Sequence, residues 1–158
     1  MREPDRAMTP EDFYRAHRAE AVRIAIALTG RIEAGEDLAH DALIRVGARL
    51  GEIENPGAYL RTTIVNACRS WHRSTSRESR RLQLDADRAP RTTELDASTG
   101  ETLRALANLT YRQRAAIVLR YWGGWGDDEI ATSLGCRRAT VRTSIHRGLA
   151  ALREELSE

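Results

Sequence analysis

The sequence predicts an all-α chain of two small helical domains joined by a flexible linker. Three observations carry that prediction. Apolar residues recur at i, i+3 and i+4 over most of the chain rather than in strand-like alternation. Helix starts are marked repeatedly by a capping residue followed by Pro, or by an acceptor three positions on. Between residues 74 and 100 the periodicity fades into STSRESRRLQLDADRAPRTTELDASTG, with five Arg, five acids and Pro90, the composition of a solvated connector. In a chain of 158 residues the expected division is a first domain over 9–73, a linker over 74–100 and a second domain over 101–156, with no large core shared between the domains.

The first helix opens at Thr9-Pro10-Glu11-Asp12. Thr9 is its N-cap, Pro10 suits the first helical position, and Asp12 closes a capping box. Phe13, Ala16, Ile24 and Leu28 recur at helical spacing, with His17 and Ala21 between them, and Gly30 is placed to end the helix. A second helix is expected over 33–50. Leu38, Ala42, Val46 and Leu50 form its inner stripe, while Asp37, Asp41 and Ile44 share another face with Glu36 and His40 beside them. A paired-carboxylate enzyme needs a partner base and a pocket, so Asp37 and Asp41 read more simply as an exposed acidic face.

Asn55-Pro56 starts the third helix, with Leu60, Ile64, Ala67, Cys68 and Trp71 as its core stripe. Cys68 reads as a small buried hydrophobe. Arg61, Asn66, Arg69, Ser70 and Arg73 point elsewhere, with Tyr59 and Trp71 near the ends. Arginines interleaved with aromatics suit single-stranded nucleic acid, where bases stack and phosphates pair with guanidinium groups.

Beyond the connector, Leu103, Leu106 and Leu109 mark a short helix, and Thr110 with Gln113 forms a capping box. That helix carries Ala116, Ile117 and Arg120 and ends at Gly123-Gly124-Trp125-Gly126. A short helix over 127–134, a tight turn at Gly135-Cys136 and a longer helix over 138–156 complete the chain. Glu129-Ile130-Ala131, Leu134-Gly135 and Thr140-Val141 have the layout of a helix-turn-helix. Val141, Ile145, Leu149 and Leu152 face inward. Arg138, Arg142, Thr143 and His146 face out, where a recognition helix meets base edges.

Charge follows the same plan. The net charge is only +2, and every one of the 25 cationic residues is Arg. Residues 33–54 nevertheless hold six acids against two Arg, residues 61–81 six Arg against one acid, and residues 137–153 five Arg and no acid. Two basic stretches and an acidic one suggest two nucleic-acid contacts and a separate partner surface. The two Cys, Cys68 and Cys136, make neither a disulfide framework nor a metal-ligand spacing. Phosphate loops and nucleophile elbows are missing from the sequence. No apolar signal core or membrane-length run stands out, so the expectation is a soluble cytoplasmic protein with no cofactor, no metal and no catalytic residue.

Both halves together resemble the sigma-70 family of RNA polymerase sigma factors, in its short extracytoplasmic-function (ECF) group and most like actinobacterial members. Leu28-Thr29-Gly30, Ala34 and Glu36-Asp37-Leu38 are similar to the family's polymerase-docking stretch. Asn55-Pro56, Ala58-Tyr59-Leu60 and Asn66 are similar to the segment that leads into the helix melting and reading the minus-ten element. Leu109, Arg114, Leu119-Arg120-Tyr121, Glu129-Ile130-Ala131, Leu134-Gly135-Cys136, Thr140-Val141, Arg147 and Leu152 resemble the domain that reads the minus-thirty-five element.

The resemblance implies roles by position. Core polymerase would be bound by Glu36, Asp37, Leu38, Asp41 and Ile44. Minus-ten DNA would be held by Tyr59, Arg61, Asn66, Arg69 and Arg73. Minus-thirty-five DNA would be read by Arg137, Arg138, Thr140, Arg142, Thr143, His146 and Arg147. Core RNA polymerase and promoter DNA are the implied partners, and the family also admits an anti-sigma protein. The competing reading is a stand-alone helix-turn-helix regulator with an N-terminal sensor or dimerisation domain.

Several positions depart from the family pattern. His40 replaces Gln, Val46-Gly47 a Trp-bearing position, and Ser70 an Asp. Gly126 and Arg137 stand at N-caps usually held by Ser or Thr, Ala139 replaces Gly, and Ser144 replaces Arg. Gly47 leads to the expectation of a less firmly packed docking helix, since Gly costs about 0.5–1 kcal/mol within a helix.

Overall fold

The computed structural model describes residues 7–82 and 97–157. The part of the expected linker over 83–96 therefore lies outside the described residues. Seven α-helices run through the described residues: α1 Pro10–Thr29, α2 Ile32–Gly47, α3 Pro56–Leu82, α4 Ala97–Ala107, α5 Tyr111–Tyr121, α6 Asp127–Leu134 and α7 Arg138–Leu156. A 3-10 turn, Leu50–Glu52, joins α2 to α3. None of these helices is long and apolar enough to cross a membrane.

Local signals set the helix boundaries. Thr9 Oγ1 accepts the Asp12 amide at 3.1 Å, and the Asp12 carboxylate accepts the Thr9 amide in return. Thr110 and Gln113 repeat this capping box at α5. Asn55 Oδ1 accepts the Ala58 amide at 3.2 Å to start α3. Gly30 and Gly135 end α1 and α6 with φ of 70° and 63°, a left-handed conformation that Gly adopts at little cost. Gly126 offers no side-chain cap to α6, yet Glu129 Oε2 still accepts the Gly126 amide at 3.1 Å. Arg137 makes no side-chain cap at α7.

Boundaries differ from expectation in three places. The second helix ends at Gly47, and Leu50 belongs to the 3-10 turn rather than to its stripe. α3 continues to Leu82, past the expected domain edge at residue 73 and into the start of the connector, where the sequence left room for a helix. α4 starts at Ala97, before residue 101.

Burial revises the expected stripes. Phe13, Ile24, Leu28, Leu60, Ile64 and Cys68 are buried as expected, but Ala16 is exposed and Leu38, Ala67 and Trp71 are only half-buried. In α2 the innermost residues include Ala39 and Leu43, and in α3 Val65, none of which the stripes contained. The last six residues of α1 are buried on every side: Ile24, Ala25, Ile26, Ala27, Leu28 and Thr29 are all buried. The Thr29 hydroxyl is satisfied by donating to the Ala25 carbonyl at 2.8 Å.

Such all-round burial needs partners on more than one side, and α1 packs against α2, α3, α4 and α5. A continuous apolar cluster therefore runs from Phe13 in α1 to Ile145 in α7. The expectation that the two halves share no large core is corrected by this packing.

Glycines mark the tightest helix crossings. A Cβ on Gly35 would lie 2.6 Å from both the Cγ1 and the backbone nitrogen of Ile26. Gly47 is buried against Pro10 and Phe13 of α1. It ends α2 rather than interrupting it, so the expected loosening of the docking helix does not follow. At Gly148 a Cβ would meet the tip of Ile117, its Cδ1, also at 2.6 Å.

Backbone cannot step aside as a side-chain tip can. Gly35→Ala gains about 1 kcal/mol of helix propensity but forces an overlap of the kind that costs about 1–3 kcal/mol or more. Gly35→Ala is expected to lower the melting temperature by several degrees, and Gly148→Ala to change it much less. Thermal unfolding followed by circular dichroism checks both.

Candidate nucleic-acid interface

The acidic face of α2 is presented to solvent. Glu36, Asp37, Asp41 and Ile44 are exposed, the last at 55%, while Leu38 packs partly onto the core. Asp41 pairs with Arg45 one turn on, with both side chains well exposed, so that pair holds the carboxylate only weakly. This places an apolar side chain within a negative field, a surface suited to a basic partner with an apolar anchor.

The basic side of α3 is less open than its sequence suggests. Tyr59, Asn66 and Arg73 are exposed. Arg61 instead pairs with Glu20 of α1 at 3.0 Å, both side chains about a third exposed. Arg69 donates to the carbonyl of Ser133 at the end of α6, also at 3.0 Å. Its Nη2 lies 3.4 Å from the position a Cβ would take on Gly135. The turn of the helix-turn-helix therefore rests on a cation that the sequence assigned to melted DNA. Arg61 and Arg69, both expected minus-ten residues, are thus engaged within the protein.

One turn further along α3, His72 stacks on Tyr111 of α5 with ring centroids 4.7 Å apart and planes at 18°. Arg114, buried beneath, lies 5.8 Å from the Tyr111 ring centroid and donates to the Ala107 carbonyl at 3.3 Å. The C-terminal carbonyls of α4 carry partial negative charge, which suits a guanidinium there. Burial raises the Tyr111 phenol and lowers the Arg114 guanidinium from their ordinary values. Burial also pushes the Cys68 thiol up to about 12, so Cys68 is an inert core residue as expected. No reading of the sequence singled out His72 or Tyr111. Their signal was an aromatic pair at the edge of two helices, legible only once α3 and α5 were known to touch.

The face expected from the sequence to read duplex DNA lies on α7. Arg137, Arg138, Arg142, Thr143, His146 and Arg147 are exposed, and Thr140 is half-buried. Thr140, Thr143 and Arg147 line a groove of about 420 Å³ with Thr110, Arg112 and Gln113 of the α5 start. Arg138 Nε meets Asp128 at 3.0 Å and Arg142 Nε meets Asp127 at 2.9 Å. Ser144, at a frequent Arg position, is buried rather than presented.

Sequence comparison assigns both halves. Residues 13–78 match the model of "Sigma-70 region 2" and residues 99–152 that of "Sigma-70, region 4". The chain belongs to the sigma-70 family. It is similar to an RNA polymerase sigma-E factor of Streptomyces coelicolor, 33% identical over 154 residues, covering 92% of this chain and 85% of that protein. Similarity to the ECF RNA polymerase sigma factor SigL of Mycobacterium tuberculosis is 31% over 155 residues, covering 92% and 88%. Among solved structures it resembles the sigma factor RpoE of Bartonella quintana, held in complex with the anti-sigma factor NepR. The TM-score is 0.68 at 27% identity, covering 93% of this chain and 98% of that one. The first half of this sigma-70 family chain is thus a region 2 rather than a sensor or dimerisation unit.

The His72 contact leads to an expected pH dependence of stability. Burial, and then the nearby Arg114 charge, lower the imidazole below its ordinary value of 6.5. Tyr111, which it stacks on, and Arg114, both of α5, are the groups that act on it. The packed form therefore favours neutral His72, so its contribution is full above about pH 6.5 and is lost as the pH falls below that. Thermal stability is expected to decline between pH 7.5 and 5.5. His72→Phe, which keeps the stack, should flatten that decline in a pH series of melting curves.

Proposed function

We propose that this chain is a promoter-specificity subunit which engages core RNA polymerase through α2, holds the melted minus-ten element on α3 and reads the minus-thirty-five duplex with α7. The observation that carries this reading is the sequence of three surfaces along one chain: an exposed acidic face on α2, then basic helices α3 and α7, within regions 2 and 4 of the family. A two-part promoter needs two DNA-reading modules. The duplex element takes a helix in the major groove, and the opened element takes aromatics and Arg. The chain acts by binding, without catalysis of its own, in the cytoplasm where polymerase and promoter meet.

The packed arrangement adds a requirement. With Arg69 on Ser133 and His72 on Tyr111, the minus-ten face of α3 is partly covered by region 4. Engagement of both elements then requires the regions to part, a cost that polymerase contacts offset. An anti-sigma protein that stabilises the packed form would silence the chain. The Bartonella sigma factor captured with its anti-sigma partner supports that role for a regulator here.

Three outcomes are expected from binding and reconstituted transcription. Reversing Asp37 and Asp41 to Arg should weaken core binding at least tenfold while the circular dichroism spectrum is unchanged; unchanged core affinity would move docking elsewhere. Replacing Asn66 and Arg73 with Ala should impair strand opening, and a template with a pre-melted minus-ten bubble should restore part of the lost transcript. Arg142→Ala with His146→Ala should also reduce transcription from a promoter with an upstream element, without rescue by the bubble. Equal rescue of both sets would contradict the division of labour.

A further inference from the structure

Asp127 is the first residue of α6 and sits between two arginines from different helices. Its Oδ1 pairs with the Nη2 of Arg120 on α5, and its Oδ2 accepts the Nε of Arg142 on α7 at 2.9 Å. Arg120 is itself oriented, donating from Nε to the Trp125 carbonyl at 3.2 Å. The Asp127 side chain is only 15% exposed, whereas that of Arg142 is 66% exposed. The neighbouring pair differs: Asp128 and Arg138 are both largely exposed, the kind of pair that fixes little. A carboxylate in the first turn of a helix is also favoured by the helix dipole. Asp127 is thus a fixed anchor that grips one nitrogen of a solvent-facing guanidinium.

That grip has a directional consequence. A guanidinium bound through Nε keeps its planar fork of Nη1 and Nη2 for another partner. Two parallel donors match the O6 and N7 acceptors of guanine in the major groove. We propose that Asp127 is a specificity-determining positioning residue, which holds Arg142 so that its terminal fork is presented to a guanine of the upstream duplex element. An unheld Arg142 would retain its charge and reach phosphates equally well, giving binding with little sequence information.

This inference rests on the assignment of α7 as the duplex-reading helix, and the test separates the two. Holoenzyme assembled from core polymerase and the full chain is bound to a promoter library randomised through the upstream element. The native chain should prefer guanine at one position by about tenfold or more. Arg142→Ala and Arg142→Lys should both flatten that position, since Lys keeps the charge and lacks the fork. Asp127→Ala should reduce the preference there several-fold and leave other positions and core affinity unchanged, and Asp127→Asn should fall between. Adding Asp127→Ala to Arg142→Ala should cost no further preference.

If Arg142→Ala flattens the position while Asp127→Ala does not, the anchoring role is overturned and the reading of α7 stands. Uniform weakening of all sequences by Asp127→Ala would make Asp127 merely structural and overturn the proposal, as would uniform tightening. If Arg142→Ala changes no position, the reading of α7 by Arg142 fails and the anchoring role falls with it.

Discussion

The C-terminal half of α1 is the constraint on which the rest of the structure depends. Six consecutive residues from Ile24 to Thr29 are buried. A helix apolar on one stripe can be satisfied by one neighbouring layer, but a helix buried all round must be surrounded. α2 and α3 cover part of it, and α4 and α5 cover the rest. Small side chains in this run, Ala25 and Ala27, and the missing Cβ of Gly35 let neighbouring backbones approach closely. Gly30 then ends the helix against Ala107 at the end of α4. The placement of region 4 on region 2 follows from the need to bury this one segment.

The polar contacts between the regions are built on that apolar contact. Among the described residues they include a charge-assisted hydrogen bond from Arg69 to a carbonyl and a ring stack between His72 and Tyr111, each individually modest. Their importance is in where they fall. Arg69 lies on the face assigned to melted DNA, and Gly135 belongs to the turn that sets the recognition helix. Closing the apolar contact sets the basic side of α3 against the end of α6 and its turn, and leaves the outward face of α7 exposed. A chain of nearly neutral net charge gains little from indiscriminate attraction to phosphate, so specificity falls to the few side chains held in defined orientations.

Most of the fold was legible in the sequence because it depends on local chemistry. The Thr9, Asn55 and Thr110 caps and the Gly30 and Gly135 stops are short-range signals, and each marks a helix boundary in the structure. The exposed faces of α2 and α7 were legible for the same reason, since alternation around a helix reports which side is wet. The packing of the halves was not read, although a signal was present. Ile24-Ala25-Ile26-Ala27-Leu28 is an unbroken apolar run within a helix, and such a run asks for a second partner that a stripe of Ile24 and Leu28 does not. The engagement of Arg61 and Arg69 depends on residues 41 and 64 positions away in sequence. No local pattern encodes such pairs. Gly47 was misread because its cost was judged as that of a helix interior, whereas it ends α2 where α1 crosses.

On this reading, burial of α1 holds the two regions together until polymerase and promoter draw them apart. Spin labels at Ala48→Cys and Ala150→Cys, both exposed positions, in a Cys136→Ser background, give the distance between α2 and α7 directly. A narrow distance distribution is predicted for the free chain, replaced by a longer distance when core polymerase and promoter are bound. A broad distribution in the free chain, or the same distance in the free and engaged states, would contradict the account.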